Sequence, residues 1–283
     1  NDIGIYGSKL YIVVNNSNSI EIMDAHTVKS IKHIDLKDAS FPAGYQPRHI
    51  AFANGKAYVT TYVGKLLVID TAANAVVQYA DTRIGCEGIA IANNKVYIGV
   101  PGVYPDVNHT TLSVLDLGTL QELKTIDVGT NPNQLLVDQF HHLYAICAGD
   151  YNQIPPSLAT VNLQNDQLLS NDTTVQADNM AIYYNKAYLY KSTYTDDTKQ
   201  NIMTYDVQHA KLINRHFITD GTPIHYYYGI TTDDATGDVY VTDALSYTSS
   251  SAKVICFDAN GKTKFSFDLA DYAAFASKII FLR

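Results

Sequence analysis

The side chains best suited to chemistry in this 283-residue chain are oxygen-rich and regularly spaced. Glu87, Asn133 and Asp178 follow one another at intervals of 46 and 45 residues. Carboxylate and amide oxygens are what a hard cation such as Ca²⁺ binds, so the trio would suit a metal-dependent hydrolase or lactonase. Arg48 stands 39 residues earlier, at the start of the preceding repeat, and competes for Glu87 as an ion-pair partner. The plainer reading of the same residues is a hydrated polar channel containing that pair, with no cofactor. A second set is aromatic. Tyr45, Tyr104, Tyr151, Tyr194, Tyr227, Tyr228 and Tyr247 fall in polar stretches, and Asp106, Asp150 and Asp196 accompany three of them. Tyr offers flat contact area at low entropy cost, and nearby Asn and Asp supply hydrogen bonds. That composition suits capture of a large polar ligand with flat or sugar-like parts.

Covalent catalysis finds little support. The chain lacks GxSxG, HExxH, Walker A and GxGxxG patterns. Its nine His residues form no pair at metal-ligand spacing. Cys86, Cys147 and Cys256 lie far apart in apolar, strand-like contexts, where a free Cys behaves as a small buried hydrophobe. DDATGD, Asp233 to Asp238, lacks the ligand order of an EF-hand loop and reads as a turn.

The elements that must position these residues recur. Short apolar strands end in an Asx residue before a turn, at Asp24, Asp70, Asp116, Asn162, Asp206 and Asp258, with spacings of 46, 46, 46, 44 and 52. A second marker runs in phase: a strand carrying Tyr after a turn, at Tyr11, Tyr58, Tyr97, Tyr144, Tyr188 and Tyr240. Each unit reads as four strands, A to D, with a two-residue A–B turn such as Asn54-Gly55. Four short strands per ~45 residues, without long helical periodicity, is the pattern of a β-propeller blade. Strand A starts align at Asn1, Arg48, Glu87, Asn133, Asp178, Tyr228 and Ser277, which predicts seven blades, the last represented only by ASKIIFLR. Seven repeats of 46 need 322 residues, 39 more than the chain has, so an upstream segment is expected to complete the last blade. A six-bladed ring with a spare terminal strand is the alternative. Either way, residues 1–283 read as one propeller domain.

In such a fold the A strands line the channel, and the B–C and D–A loops share one face. The B–C connections from Pro101, Ala148, Ser192 and Asp243 read as long loops, and with two D–A loops they carry the seven tyrosines. Arg48, Glu87, Asn133 and Asp178 fall at the channel mouth.

The repeats resemble the YVTN-type units of seven-bladed surface-layer-like propellers. NDIGIYGSKLYIVVNNSNSIEIMDA, CEGIAIANNKVYIG and DATGDVYVTDA are more closely similar to exported propeller lipoproteins of the Bacteroidetes. Some of that group capture cobalamin at the outer membrane for an associated transporter. The resemblance implies a non-enzymatic, surface-tethered protein that binds a small molecule, with cobalamin or another corrinoid as leading ligand, on the extracellular face of the outer membrane or in the periplasm. A protein-interaction scaffold for a surface transporter is a further reading. The Glu, Asn and Asp set resembles, in residue type only, that of six-bladed lactonase-type propellers.

Composition narrows the classes. Net charge is −8, so the totals lack the basic footprint of a nucleic-acid binder. No apolar run reaches the ~18 residues of a membrane span.

Overall fold

In the computed structural model, residues 1–192, 202–245, 251–269 and 276–282 are described. They form six four-stranded antiparallel blades, each in the order A, B, C, D. The first contains β1 (Asp2–Tyr6), β2 (Lys9–Val14), β3 (Ser19–Asp24) and β4 (Ser30–Asp35). The second contains β5 (Pro47–Ala53), β6 (Lys56–Thr61), β7 (Lys65–Asp70) and β8 (Ala75–Asp81). The third contains β9 (Ile89–Ala92), β10 (Lys95–Val103), β11 (Asp106–Asp116) and β12 (Glu122–Asp127). The fourth contains β13 (Pro132–Val137), β14 (His142–Cys147), β15 (Ser157–Asn162) and β16 (Gln167–Asp172). The fifth contains β17 (Asn179–Tyr183), β18 (Lys186–Tyr190), β19 (Met203–Asp206) and β20 (Lys211–Asn214). The sixth contains β21 (Tyr227–Thr232), β22 (Val239–Asp243), β23 (Lys253–Phe257) and β24 (Thr263–Asp268).

The expectation of seven blades is therefore corrected to six. The six A strands begin within two residues of their expected starts, but Ser277 opens no strand. Residues 276–281 instead run beside the sixth blade, where the Thr242 hydroxyl donates to Ala276 O at 2.5 Å, a Cβ on Gly229 would lie 2.6 Å from Ser277 O, and Phe281 meets the Tyr240 ring. The apolar run at 279–282 has the composition of a short buried strand. It carries no information on whether a ladder partner is present.

Local chemistry explains the blade. Asn54-Gly55 and Asn93-Asn94 both have positive φ at each turn residue, the geometry a tight hairpin needs to match strand twist. The recurring Asx closes the C–D turn. Asp24 Oδ1 accepts from the amides of His26 and Thr27, Asp70 Oδ1 from Ala72 and Ala73, and Asp116 Oδ1 from Gly118 and Thr119. These amide contacts hold the three carboxyls below their ordinary range.

The chain divides into two compact units, chiefly Asn1–Val137 with Leu143–Asp172, and Asp138–His142 with Thr173–Phe281. In the first, the A strands β1, β5, β9 and β13 lie side by side in that order. Sheet faces bury one another. Tyr11, Ile20 and Ile22 of blade one pack with Ile50, Val59 and Leu67 of blade two. Tyr58 and Val68 of blade two meet Val96, Ile98 and Leu115 of blade three. Tyr97 and Val114 of blade three meet Leu143, Ala145 and Val161 of blade four. In the second unit, Tyr188 and Tyr190 of blade five pack with Val239, Val241 and Phe257 of blade six. The three cysteines are buried and unpaired, as expected of core thiols. Burial pushes Cys86 up to about 11 and Cys147 up to about 12, away from thiolate reactivity.

Polar latches accompany this packing. Lys9 Nζ donates to Thr71 O and to Asn74 Oδ1 of the next blade. At the corresponding place Lys95 Nζ and Tyr97 Oη both donate to the buried carboxylate of Asp166, at 2.5 and 2.6 Å. Tyr11 has no such partner: its buried hydroxyl is without a protein hydrogen bond. The two marker tyrosines should thus respond differently to loss of the hydroxyl. Tyr97→Phe removes a hydrogen bond to a charged group and should cost about 1.5–3 kcal/mol, whereas Tyr11→Phe should be neutral or stabilising. Urea unfolding of both variants checks this, and equal destabilisation would contradict the assignment.

Candidate functional site

Three of the six A strands are irregular at their first residues. Register shifts lie between Pro47 and Ile50 in β5, between Pro132 and Gln134 in β13, and between Tyr227 and Gly229 in β21. The residues within these bulges are Arg48 with His49, Asn133, and Tyr228. A bulge bends the strand and re-aims a side chain that regular pairing would direct along the ladder. In blade three Glu87 precedes β9, held by its amide to Gly99 O at 2.9 Å. Gly88 follows because there is no room for more: a Cβ would sit 2.7 Å from Asn133 O.

In the first unit these irregular starts bring four charged groups together. Arg48 meets Glu87 in a two-point contact, Nε to Oε2 at 2.9 Å and Nη2 to Oε1 at 2.6 Å. The Arg48 guanidinium also lies 5.9 Å from the Tyr62 ring centroid. His49 stands between two carboxylates, with Nδ1 3.4 Å from Asp2 Oδ2 and Nε2 3.6 Å from Glu87 Oε2. Thr60 fixes the backbone, accepting from the His49 amide and donating to Glu87 O at 2.7 Å. Burial opposes the imidazolium, but the carboxylates of Asp2 and Glu87 outweigh it and raise His49 above its ordinary value. Burial likewise pushes Glu87 up, and His49 and Arg48 reverse that and hold it below the usual range. The expected Arg48–Glu87 pair is thus present. The side-chain oxygen of Asn133 is buried without a protein hydrogen bond.

Of the proposed oxygen trio, Glu87 and Asp178 are otherwise engaged. Both Glu87 oxygens face Arg48. Asp178 accepts from Lys191 Nζ at 2.6 Å and from the Ser192 amide at 2.7 Å. Among the described residues no group of three or more His, Cys, Asp or Glu side chains is placed to hold a metal ion.

The loop tyrosines divide sharply. Tyr104 and Tyr151 are 89% and 80% exposed. Tyr45 is buried, its hydroxyl donating to Asp38 Oδ2 at 2.5 Å and its ring stacked on Tyr79. Tyr227 is fully buried against the Tyr190 ring, 5.0 Å between centroids. Tyr228 is half-buried in the bulge of β21. Tyr194, with Asp196, and Tyr247 lie outside the described residues.

The segment from Pro101 is not a loop. β10 and β11 continue outward as a hairpin in which Gly102 faces Val107 and Val103 faces Asp106, leaving Tyr104 and Pro105 at the tip. Asn131 ties this hairpin to the segment after β14. Its amide donates to His109 O at 2.8 Å, and its side-chain nitrogen donates to Asn108 Oδ1 at 2.9 Å and Gly149 O at 2.6 Å. Asp150 Oδ1 accepts from the Asn152 and Ile154 amides, closing the turn that carries Tyr151. Gly85 completes the support, since a Cβ there would collide with Gly102 O. Ile84, Val107 and Ile154 are exposed in these same segments. Sequence reasoning did not single out Asn131, His49 or Asp2. The Asn-Pro dipeptide at 131–132 marks a turn but not the side-chain contacts.

No family model matches the chain, and no curated protein matches it in sequence. Solved structures do match in shape. Hydrazine synthase of Kuenenia stuttgartiensis aligns with TM-score 0.71 at 15% identity, over 90% of this chain and 74% of that one. BamB from Moraxella catarrhalis aligns with TM-score 0.58 at 17% identity, over 94% and 73%. At such identity the likeness establishes the β-propeller fold alone.

His49 gives the charge cluster a pH signature. Because its folded value is raised, its stabilising contribution is complete below the unfolded value of about 6.5 and is lost as pH rises through the folded value. Unfolding free energy should therefore decline above pH ~6.5 in the native protein and more weakly in His49→Gln. Parallel pH profiles for the two would remove His49 from the network.

Proposed function

We propose that this chain is a non-catalytic binding propeller whose ligand lies against Tyr104 and Tyr151. One observation carries the reading. Two aromatic rings are almost fully exposed on segments that Asn131, Asp150 and Gly85 hold in fixed conformation. The backbone that carries each ring is already fixed, so contact with a ligand orders the side chain alone. The β-propeller fold is compatible with this role, since rigid blades support binding segments at strand ends. Resemblance of the repeats to exported Bacteroidetes propellers favours a corrinoid, a surface-tethered location and a transporter as neighbour. A second reading, docking of a protein partner, draws support from Ile84, Val107 and Ile154 beside the tyrosines, since clustered exposed aliphatics mark interaction surfaces.

Calorimetry with cyanocobalamin and with neutral oligosaccharides tests the proposal. Anchor aromatics contribute about 2 kcal/mol or more each, so Tyr104→Ala with Tyr151→Ala should weaken a confirmed ligand by roughly a thousandfold at unchanged thermal stability. Unaltered affinity in that double variant would place the site elsewhere. Absence of binding by every probe would leave the protein-partner reading in possession of this face.

A further inference from the structure

Strand β24 differs from the outer strands of other blades. At the position before the strand's last residue, Ile34 and Ile126 of blades one and three are buried at 9% and 5%, while Ile213 of blade five is 56% exposed. The corresponding residue in β24 is Phe267, 49% exposed, and Phe265 is 45% exposed. The two rings are stacked on each other at 6.5 Å, and Phe265 also meets the edge of Tyr240. Tyr240 is itself the marker tyrosine that is buried in the other five blades and only half-buried here. β24 pairs with β23 on one side and is the outer strand of its sheet. From Lys264 to Asp268 every residue is exposed.

An outer strand bearing two aromatics invites pairing unless something blocks it. The order of residues specifies what would pair best. Read antiparallel to itself about Ser266, the stretch Lys264-Phe265-Ser266-Phe267-Asp268 sets Lys264 opposite Asp268, and Phe265 opposite Phe267. Opposite charges and aromatic pairs facing across strands are both favourable, and a two-fold axis at Ser266 would repeat each pair. No other outer strand carries this arrangement: β4, β8, β12, β16 and β20 read SIKHID, AVVQYAD, ELKTID, QLLSND and KLIN. Lys264 already meets Asp238 at 2.6 Å, and Lys253 lies 3.8 Å from Asp268. A facing copy would extend both contacts into one network of alternating charge rather than leave either charge unopposed.

We propose that β24 is a self-association edge, joining two copies of this chain by antiparallel β24–β24 pairing across a two-fold axis. β24 lies in the second compact unit, whereas Tyr104 and Tyr151 lie in the first. The association is concentration-dependent and modest, because one strand pair buries less than the ~800 Å² per partner of a standard interface.

Sedimentation velocity of the native chain from about 1 to 500 μM provides the test, with far-ultraviolet circular dichroism and melting temperature as controls on folding. A monomer–dimer equilibrium is expected. Asp268→Lys places Lys opposite Lys twice and should raise the dissociation constant at least tenfold. Adding Lys264→Asp restores opposite charges and should recover most of that loss. Ser266→Pro, which removes a backbone donor, should abolish association while the monomer remains folded. A folded native chain that stays monomeric to 500 μM would overturn the proposal. So would a dimer that none of these folded variants weakens.

Discussion

Face-to-face burial of one blade on the next is the constraint on which this molecule depends. A four-stranded sheet has two faces and cannot bury either alone. In blade two the B and C strands, KAYVTT and KLLVID, are buried on both faces, so that sheet packs against a neighbour on each side. The outer strands and turns are left to water, and they are correspondingly polar. Blade stacking also explains why hydrogen bonds such as Lys95 and Tyr97 to Asp166 run between repeats. A latch there fixes the rotation of one sheet against the next, which apolar contact leaves loosely defined.

Much of this was readable from residue order. The Asx and Tyr markers located the repeats, because each has a fixed physical duty: Asp24, Asp70 and Asp116 close turns, while Tyr11, Tyr58 and Tyr97 fill the space between sheets. The blade count was overread because SKIIFL ends in the apolar run of a strand, and apolar composition does not report whether a ladder partner is present. The hairpin of β10 and β11 was hidden for a related reason. Pro101, Gly102 and Pro105 signal a break, but the bulge between Val100 and Gly102 absorbs that break and pairing resumes beyond it.

The site was legible in part. Arg48 and Glu87 could be paired from their places in consecutive repeats. His49 and Asp2 could not, because their meeting depends on how a bulge turns two successive residues of β5. Likewise Tyr104 and Tyr227 look alike in sequence. One crowns a two-residue hairpin tip, while the other is buried in a core beside Tyr190. Burial of a loop tyrosine is decided by the packing of strands far away in the chain, and local composition does not report it.

The bulges at the starts of β5, β13 and β21 have a further consequence for how such a scaffold diversifies. A bulged residue contributes no rung to the ladder, so its side chain is free of the two-residue alternation that governs the rest of the strand. Positions 48, 49, 133 and 228 can therefore change type without shifting which neighbours point into the core. Frame and bulge become separately variable, and new recognition chemistry can arise at these positions while the blades beneath keep their sequence.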